Sequence, residues 1–242
     1  MKIAIIGCGW VGERLASYLK AKNYGVLATT TSPEKLESLK ELASEVHLLD
    51  FNSTDNFDFL DEVEVAIFSM PISRNSWHEG FQKLDKKFPK TILFSSTGIY
   101  PTENRIYMEF YTENLRSDIL TSENLVKEKY PETNILRFGG LMGDERNLQN
   151  FFKNRNPENP EKVTNYIHYE DILPIVEIIF NSEKKSEIYN IVAPEHPTIA
   201  EVLDINQTEN STVSEKTSRI ISSEKLIQNF NYKFIHPNPK YF

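Results

Sequence analysis

The sequence has little cysteine, no excess of positive charge and no long hydrophobic run, and each absence excludes a class of protein. Cys8 is the single cysteine among 242 residues, which excludes an intrachain disulfide and any multi-cysteine metal site, and no metal site is predicted. Asp and Glu outnumber Lys and Arg by 35 to 27, for a formal net charge of −8. Because no basic cluster is present, neither nucleic acid nor an anionic membrane is expected as the main partner.

No apolar run reaches the roughly 18 residues that a membrane-spanning helix needs. Lys2 leads directly into a short apolar run and then a glycine turn, which differs from the pattern of a secretory signal peptide. A cytoplasmic protein is therefore expected. Hydrophobic residues make up 39% of the chain and aromatic residues 12%, which predicts a packed core rather than disorder.

The most informative stretch is residues 1–18, which read MKIAIIGCGWVGERLASY. A short apolar run, a glycine turn of the form GxGxxG and an amphipathic continuation predict a strand, a turn and a helix. Gly7 permits the tight turn, Gly9 lets the backbone approach a pyrophosphate, and Gly12 lets the helix pack closely on the strand. Free N–H groups at the helix start would face the anion, so dinucleotide binding is predicted, with a merely structural turn as the alternative. The candidate diphosphate-binding residues are Gly7, Gly9, Trp10, Val11 and Gly12.

Strands alternate with helical stretches over the first ~140 residues, which predicts crossover units and a doubly wound parallel sheet of Rossmann type, an α/β fold. Residues 1–140 are expected to form the dinucleotide-binding lobe, with residues 185–193 completing its sheet. Residues 141–184 and 194–242 are expected to form connections and a small C-terminal substrate cap. The first helix is expected to end near Asn23, with Gly25 as its stop signal. Further helices are predicted over residues 76–88, 113–130 and 171–180, the last with Pro174 in its first turn, where proline is tolerated. A capping box is predicted at residues 198–201.

Six phrases occur in one order along the chain: GCGWVG, LLDFNS, LFSSTGIYP, ILRFGGLMG, NYIHYEDI and IYNIVAP. Together they resemble the NAD-dependent epimerase/dehydratase family, the extended short-chain dehydrogenases/reductases. The resemblance implies a parallel-sheet fold that binds NAD or NADP, and the short chain implies a reduced substrate cap. It also implies that Asp50 and Phe51 flank the adenine, and that Ser69, Met70 and Pro71 line the path past the ribose.

The end of the second predicted strand carries no acidic residue, although an NAD site usually places Asp or Glu there to bind the ribose 2′-hydroxyl. The chain instead reads Thr29-Thr30-Thr31-Ser32, followed by Lys35. The hydroxyls of Thr30, Thr31 and Ser32 together with Lys35 suit a 2′-phosphate, which favours NADP, while NAD stays open. The alternative is that the threonines are only strand formers and Ser32 only a helix cap.

Members of the family carry a Ser or Thr after the fifth strand and a Tyr-x-x-x-Lys pair on the next helix, in which the Tyr is the general acid/base. Ser96 matches the Ser/Thr position, although a strand-end hydroxyl also satisfies local backbone. The pair itself is missing, because Leu115 stands at the Tyr position and Ile119 at the Lys position. Neither side chain carries a proton or a charge, so the standard mechanism is not available.

Several residues are candidates to replace the missing pair. Tyr111 lies four residues before Leu115, one turn earlier if the helix extends that far, and Tyr100 is near in sequence. A Tyr without a neighbouring cation keeps a pKa near ~10, so it is a poor base but a hydrogen-bond donor. His168 and Asp171 are further candidates, although their phrase is mainly structural in the family.

Three charged residues near these candidates are explained by structural roles rather than by catalysis. Glu123 and Lys127 form a helix-supporting i, i+4 pair, and Arg137 ends a strand and fastens the loop that follows it.

Two functions remain open. The first is an NADP-favouring oxidoreductase or epimerase-like enzyme that acts on a small or sugar-derived substrate with a non-standard acid/base. The second is a non-catalytic dinucleotide-binding redox sensor or interaction module, and a weaker third uses the cofactor only transiently, as in isomerisation. A homodimer is also possible, with Leu115, Ile119 and Leu120 as its contact surface; the alternative is that these residues form a core face.

Overall fold

The computed structural model of the chain describes residues 1–205 and 218–242. The strands are β1 (Lys2–Ile6), β2 (Gly25–Thr30), β3 (Glu45–Leu48), β4 (Val65–Phe68), β5 (Lys90–Ser96), β6 (Ile106–Tyr107), β7 (Asn134–Phe138), β8 (Gly140–Met142), β9 (Tyr166–His168), β10 (Ile188–Ile191) and β11 (Ile220–Ile221). The α-helices are α1 (Trp10–Ala21), α2 (Leu36–Leu42), α3 (His78–Gln82), α4 (Ser117–Lys129), α5 (Leu148–Phe151), α6 (Tyr169–Asn181), α7 (Ile199–Val202) and α8 (Glu224–Phe230).

Seven strands form a parallel sheet in the order β10-β7-β5-β4-β1-β2-β3. Ile3 of β1 lies opposite Val26 of β2 on one side and Val65 of β4 on the other. The chain winds outward from β1 through β2 to β3, then crosses to β4 and winds outward through β5 and β7 to β10. The predicted Rossmann-like doubly wound fold is confirmed, and the strand order reverses between β1 and β4.

Both faces of the sheet are covered, which explains why β1 is a continuous apolar run rather than an alternating one. Ile3 and Ile5 pack in one core with side chains of α1 and α6. Ala4 and Ile6 pack in the opposite core with Phe81 of α3 and with residues of α4. Helix α6 therefore covers the sheet, although residues 141–184 were expected to form cap and connections.

The first helix ends two residues before its expected end at Asn23. Asn23 has a φ of 63°, the left-handed conformation in which a chain commonly leaves a helix, and Asn adopts it more readily than most residues. Gly25, expected as the stop signal, is instead the first residue of β2.

The helix expected over residues 76–88 is limited to α3. After α3 the backbone hydrogen bonds follow the i→i−3 pattern. Lys83 N–H donates to Gly80 O at 3.0 Å, and Leu84 N–H donates to Phe81 O at 3.1 Å. Gly80 lies against the backbone of Phe51 so closely that a Cβ would collide with its carbonyl oxygen. The apolar residues still face the core as the pattern indicates, but backbone contact decides the length of the helix.

Two further helix boundaries differ from expectation. Helix α4 begins at Ser117 rather than near residue 113, because Asn114 has a φ of 47° and Arg116 N–H donates to Ile99 O at 2.8 Å. Helix α6 begins at Tyr169, so Pro174 is its sixth residue and does not lie in the first turn, where it was expected. The missing proline N–H removes one hydrogen bond from the interior of α6.

Two short pairs of strands stand outside the seven-stranded sheet. Strands β6 and β11 pair in parallel, as do β8 and β9. The predicted capping box is confirmed: the Thr198 hydroxyl accepts the N–H of Glu201, whose carboxylate accepts the N–H of Thr198. Residues 206–217, within the expected cap segment 194–242, lie outside the described residues. No helix in the described part of the chain is long and apolar enough to cross a membrane.

Candidate functional site

The candidate site lies where the strand order reverses, at the carboxyl ends of β1 and β4. In open α/β sheets this crevice is where ligands bind. Ser69 follows β4 and its N–H donates to Ile6 O at 2.8 Å, so the two strand ends are tied together. The glycine turn after β1 and the loop after β4 therefore lie side by side at this edge of the sheet.

Gly7 makes the turn that leaves β1. Its φ is 87°, a conformation that favours glycine, and a Cβ there would lie 3.1 Å from Ser69 O. Its N–H donates to Thr29 Oγ1 at 3.0 Å, and the Cys8 N–H donates to Thr29 O at 2.7 Å. The turn is held to β2 by its backbone, which fixes where the next two glycines stand.

Gly9 and Gly12 have opposite surroundings. Among the described residues, no atom beyond the chain neighbours of Gly9 lies within 4 Å of where its Cβ would stand, so its backbone faces open space. A Cβ on Gly12 would lie 3.1 Å from Cys8 Sγ and 3.2 Å from Ile5 Cγ2, so this glycine brings α1 close to β1. The close packing expected of Gly12 is observed, whereas the approach of a pyrophosphate to Gly9 stays a prediction.

The start of α1 presents backbone donors to this open space. Gly9 is the N-cap and has no side chain to accept the first N–H groups of the helix, which have no partner within the helix. Trp10 and Val11 are the first two helical residues. Unsatisfied N–H groups and the positive end of the helix dipole make a binding site for an anion such as a diphosphate.

Cys8 suits the turn because its side chain is small, and its thiol is not reactive. Its side chain is buried, and burial raises the pKa of the thiol to about 12. The thiol is therefore protonated at neutral pH and unsuited to nucleophilic chemistry.

Two guanidinium groups flank Trp10 at the helix start. The Arg14 guanidinium carbon lies 4.0 Å from the Trp10 ring centroid and that of Arg146 lies 4.3 Å from it. Asp144 pairs with Arg14 and accepts the Tyr169 hydroxyl at 3.3 Å. Positive charge thus stands beside the backbone donors of α1. Sequence reasoning missed Arg146, because the loop that carries it is far from the glycine turn along the chain.

The residues expected at the 2′-position of the ribose lie at the end of β2 and just after it. Thr30 is buried and its Oγ1 accepts the Ser32 N–H at 3.1 Å, while Thr31 is exposed. The Lys35 ammonium is 44% exposed and lies 2.9 Å from Glu13 Oε1 on the first turn of α1. Glu13 therefore places the Lys35 cation at the start of α1.

The residues expected around the adenine differ in exposure. Asp50 is exposed and its carboxylate accepts the N–H of Asn52 at 3.0 Å. Phe51 is buried, with its ring 5.4 Å from that of Phe81 and 6.2 Å from that of Phe57. The Phe51 ring thus belongs to the core, which leaves its backbone for any contact with a base.

The loop after β4 supplies the last expected cofactor residues. Ser69 and Met70 adjoin the glycine turn, since a Cβ on Gly7 would lie 3.2 Å from Met70 N. Met70 is buried, whereas Pro71 is exposed and its carbonyl accepts the indole N–H of Trp77 at 3.1 Å. This bond fixes the loop to the core beneath it.

Ser96 ends β5 and is half-buried. Its Oγ accepts the Gly98 N–H at 3.0 Å and so caps the short 3₁₀ turn that follows. This contact uses an acceptor lone pair and does not require the hydroxyl hydrogen.

An apolar cluster occupies the region where the acid–base pair of the family would stand. Ile119 is buried in it, and Leu115 packs against it. Neither Tyr111 nor Leu115 lies on α4, so the helix does not extend far enough to place Tyr111 one turn before Leu115. The other residues of the cluster are Ile72, Ile99, Tyr100, Tyr107, Leu120, Val192 and Ile221.

The two tyrosines proposed as substitutes are both engaged elsewhere. The Tyr100 hydroxyl donates to Asn190 Oδ1 at 2.8 Å and accepts from Arg137 Nη1 at 2.9 Å. Burial raises the pKa of Tyr100, although Arg137 opposes the shift, so the phenol stays protonated at neutral pH. Tyr111 is half-buried, packs edge-on against Tyr107 with ring centroids 5.0 Å apart, and has the Arg105 guanidinium carbon 4.7 Å from its own centroid.

A buried ion pair joins α4 to the sheet and corrects two expectations. Glu123 does not form an exposed pair with Lys127: it is 2% exposed and binds Arg137 through both carboxylate oxygens, at 2.9 and 2.7 Å. Ser95 on β5 donates to the same carboxylate at 2.6 Å. Arg137 therefore fastens α4 and Tyr100 to β7, rather than the loop that follows it.

His168 and Asp171 lie at the start of α6. Asp171 is fully buried, and its carboxylate accepts the Tyr232 hydroxyl and the N–H groups of Ile235 and His236 at 2.7–2.9 Å. These contacts commit Asp171 to holding the C-terminal segment. His168 is the N-cap of α6, with Nδ1 accepting the N–H of Glu170 at 3.3 Å.

A polar cleft of about 280 Å³ opens beside the start of α4. His78 lines it, with Nε2 2.8 Å from Ser122 Oγ, and burial lowers the pKa of this imidazole. The other lining residues are Ser73, Asn75, Ser117, Asp118 and Thr121.

The N-terminal part of the chain matches a known family model, described as NADP oxidoreductase coenzyme F420-dependent, over residues 2–87. Protein YeeZ of Escherichia coli strain K12 is 26% identical over 270 aligned positions, which span 98% of this chain and 97% of YeeZ. The matched region of the family model contains the glycine turn, β2 and the loop after β4.

Solved structures resemble the whole chain. Yeast methylglyoxal/isovaleraldehyde reductase Gre2, complexed with NADPH, has a TM-score of 0.78 at 17% identity, covering 100% of this chain and 95% of Gre2. UDP-glucuronic acid 4-epimerase of Bacillus cereus, in complex with NAD, has a TM-score of 0.74 at 16% identity, with the same coverage. The chain thus has the fold of dinucleotide-binding oxidoreductases and epimerases.

Proposed function

We propose that the protein binds a pyridine dinucleotide, NADP(H) in preference to NAD(H), with the diphosphate at the start of α1. The observation that carries the proposal is the open space over Gly9 beside the uncapped N–H groups of the helix. A strand, a glycine turn and a helix that meet at a sheet's reversal point have the geometry for this ligand. The Arg146 guanidinium carbon lies 4.3 Å from the Trp10 ring centroid and adds positive charge near the first residue of α1, whereas Arg14 is paired with Asp144.

The preference for NADP rests on charge at the end of β2. A carboxylate there would repel a 2′-phosphate, and this chain carries hydroxyls instead, in Thr30, Thr31 and Ser32. The half-exposed Lys35 side chain is paired with Glu13, and a 2′-phosphate bound there would replace this carboxylate as the partner of the ammonium. The family model that matches the N-terminal part describes NADP oxidoreductases, and Gre2 was solved with NADPH.

The first candidate activity is that of an oxidoreductase or epimerase-like enzyme acting on a small or sugar-derived substrate. A bound nicotinamide would supply hydride transfer. The residues of this chain orient the substrate and donate or accept its proton. Ser96 stands at the carboxyl end of β5 with a hydroxyl hydrogen that its contact with Gly98 does not use. The polar cleft beside α4, lined by His78 and Asp118, suits a small polar ligand.

The second candidate is a dinucleotide-binding sensor or interaction module without turnover. The apolar cluster around Leu115 and Ile119 favours this second candidate. Packed hydrocarbon side chains stand there at the positions of the family's Tyr-Lys pair. Tyr100 and Tyr111, the two phenols expected as substitutes, are packed in or against the same cluster.

The deciding experiment for binding is a fluorescence titration of NADPH and NADH into the parent protein, Gly9→Ala and Gly25→Ala. Gly9 has a φ of −96°, so alanine fits without strain, but its Cβ fills the space that a diphosphate needs. We expect NADPH affinity to fall about tenfold or more, equivalent to about 1.4 kcal/mol.

Gly25→Ala is the matched control. Its Cβ would meet its nearest atoms at 3.7 and 3.8 Å, an ordinary contact, at the opposite end of β2 from the crevice. It should bind like the parent protein. Equal affinities in all three proteins, or no binding of either nucleotide at millimolar concentration, would refute the proposal.

Turnover separates the two candidates. A panel of carbonyl compounds and alcohols is assayed with NADPH and NADP. Turnover that Ser96→Ala reduces, with NADPH affinity unchanged, supports an enzyme. Binding without turnover across the panel supports the sensor or interaction module.

A further inference from the structure

Two histidines and a glutamate from separate parts of the chain meet at the start of α6. His168 ends β9, Glu170 lies in the first turn of α6, and His236 lies in the C-terminal segment. One potential ligand atom of each lies within 4.8 Å of the others. The Glu170 Oε2 atom is 2.6 Å from His236 Nε2 and 3.7 Å from His168 Nδ1.

The backbone that carries His236 is fixed by contacts that do not involve the cluster itself. The backbone N–H of His236 donates to Asp171 Oδ2 at 2.9 Å, and that of Ile235 donates to Asp171 Oδ1 at 2.7 Å. Asp171 is fully buried, so the C-terminal segment is held against α6 whether or not the imidazole of His236 has a ligand. The two imidazole rings then lie with centroids 4.0 Å apart.

Two imidazoles and one carboxylate are ligands that Zn²⁺ and neighbouring transition metals prefer. Ligand atoms about 2.0–2.1 Å from a tetrahedral zinc lie about 3.3 Å from each other. The separations of 2.6 and 3.7 Å from Glu170 Oε2 lie on either side of that value, so the three atoms are near the spacing that one ion requires. On binding the ion, His168 Nδ1 would release the Glu170 N–H that it accepts at 3.3 Å. We propose that His168, Glu170 and His236 bind a divalent transition metal of the zinc class.

The site also has access to solvent and room for a further ligand. His168 is nearly buried, whereas the side chain of Glu170 is 47% exposed and that of His236 is 26% exposed. A metal ion reaches the cluster from the Glu170 side, and water completes its coordination there. The ion would cross-link the end of β9 and the start of α6 to the C-terminal segment, independently of any dinucleotide.

The test uses the untagged full chain, freed of metal with a chelator, and titration calorimetry with ZnCl₂. We expect one ion per chain. His236→Gln and Glu170→Gln each remove one ligand and should weaken binding at least about tenfold. Cobalt(II) provides a second measurement, because its visible absorption reports coordination by the protein, and that signal should fall in the same variants.

A matched control exists at the other end of the sheet. His47 Nε2 lies 2.6 Å from Glu45 Oε1, the same separation as in the His236–Glu170 pair. No third ligand completes a group there among residues 1–205 and 218–242. His47→Gln should therefore leave zinc binding unchanged.

The outcomes are decisive because folding is monitored separately. His236→Gln keeps the backbone contacts to Asp171, and its metal-free thermal unfolding is recorded beside that of the parent protein. Loss of zinc binding in the two ligand variants with retention in His47→Gln supports the site. Equal zinc affinity in all proteins, loss in His47→Gln, or no binding to the parent at 1 mM would overturn it.

Discussion

Replacing Glu123 by Gln tests the buried ion pair between α4 and β7. Glutamine has nearly the same shape as glutamate, so the change leaves no cavity. It removes the charge and replaces one acceptor oxygen by an NH2 group, which cannot accept an Arg137 N–H. The Arg137 side chain, 3% exposed, then carries an uncompensated charge in the core. Burial opposes this charge, but the Glu123 carboxylate outweighs that effect and holds the pKa of Arg137 above its ordinary value.

The magnitude separates two interpretations of Glu123. Breaking a buried pair from one side costs about 3–5 kcal/mol of unfolding free energy, whereas an exposed i, i+4 pair contributes about 0.3–0.5 kcal/mol. For a chain of this size, a loss of 3–5 kcal/mol lowers Tm by about 6–20 °C. Urea denaturation and calorimetry measure both quantities.

Two further variants serve as controls for this measurement. Glu128→Gln changes an exposed glutamate on the same helix and should alter stability by less than about 0.5 kcal/mol. The double variant Glu123→Leu/Arg137→Met replaces both charges by hydrocarbon and should recover most of the loss. The Ser95 hydroxyl then lacks its acceptor, which leaves a residual cost of about 1 kcal/mol. A Glu123→Gln protein within 1 kcal/mol of the parent would refute the reasoning.

Two other predictions concern single charges. Lys35→Gln should weaken NADPH binding about fivefold, which corresponds to about 1 kcal/mol for a half-exposed charged contact, and leave NADH binding unchanged. Equal weakening of both nucleotides in the titration would contradict the assigned role of Lys35. Burial tends to raise the pKa of Glu177, but its hydrogen bonds from Lys22 and Tyr18, each 2.6 Å long, outweigh this and hold the pKa below its ordinary value. The stability from these bonds is present above the unfolded-state pKa of about 4.3 and is lost as the pH falls through the lower folded-state pKa. In urea titrations from pH 7 to pH 3, Glu177→Gln should therefore lose less stability than the parent, and parallel pH profiles would disprove this.

The fold could be predicted because its main signals are local. An apolar run followed by glycines and an amphipathic stretch specifies β1, the turn and α1 without reference to the rest of the chain. The alternation of such units then restricts the sheet to a parallel, doubly wound arrangement. Helix lengths depend on distant contacts instead: α3 is short where Gly80 meets the backbone of Phe51, which lies on another loop.

The candidate site could be predicted only in part, for the same reason. Gly7, Gly9 and Gly12 act through their own backbone geometry, which the sequence pattern contains. The partner of Glu123 could not be inferred, because Arg137 reaches it from a different strand and helical spacing offered Lys127 as a simpler partner.

The metal cluster proposed here was equally hidden from the sequence. His236 is 66 residues beyond Glu170, and long-range contacts such as those of Asp171 with the C-terminal segment bring the two together. A short ligand motif of the kind that identifies many zinc sites is absent, since the third ligand comes from a remote part of the chain.

The sequence contains two tryptophans, and the fold gives them different surroundings. Trp77 lies in the core, whereas Trp10 stands at the first residue of α1 between two guanidinium groups. Indole emission responds to neighbouring charge and to solvent, so a Trp77→Phe protein would emit from the crevice alone. The molecule thereby contains its own optical reporter of what occupies the helix start, without an attached dye.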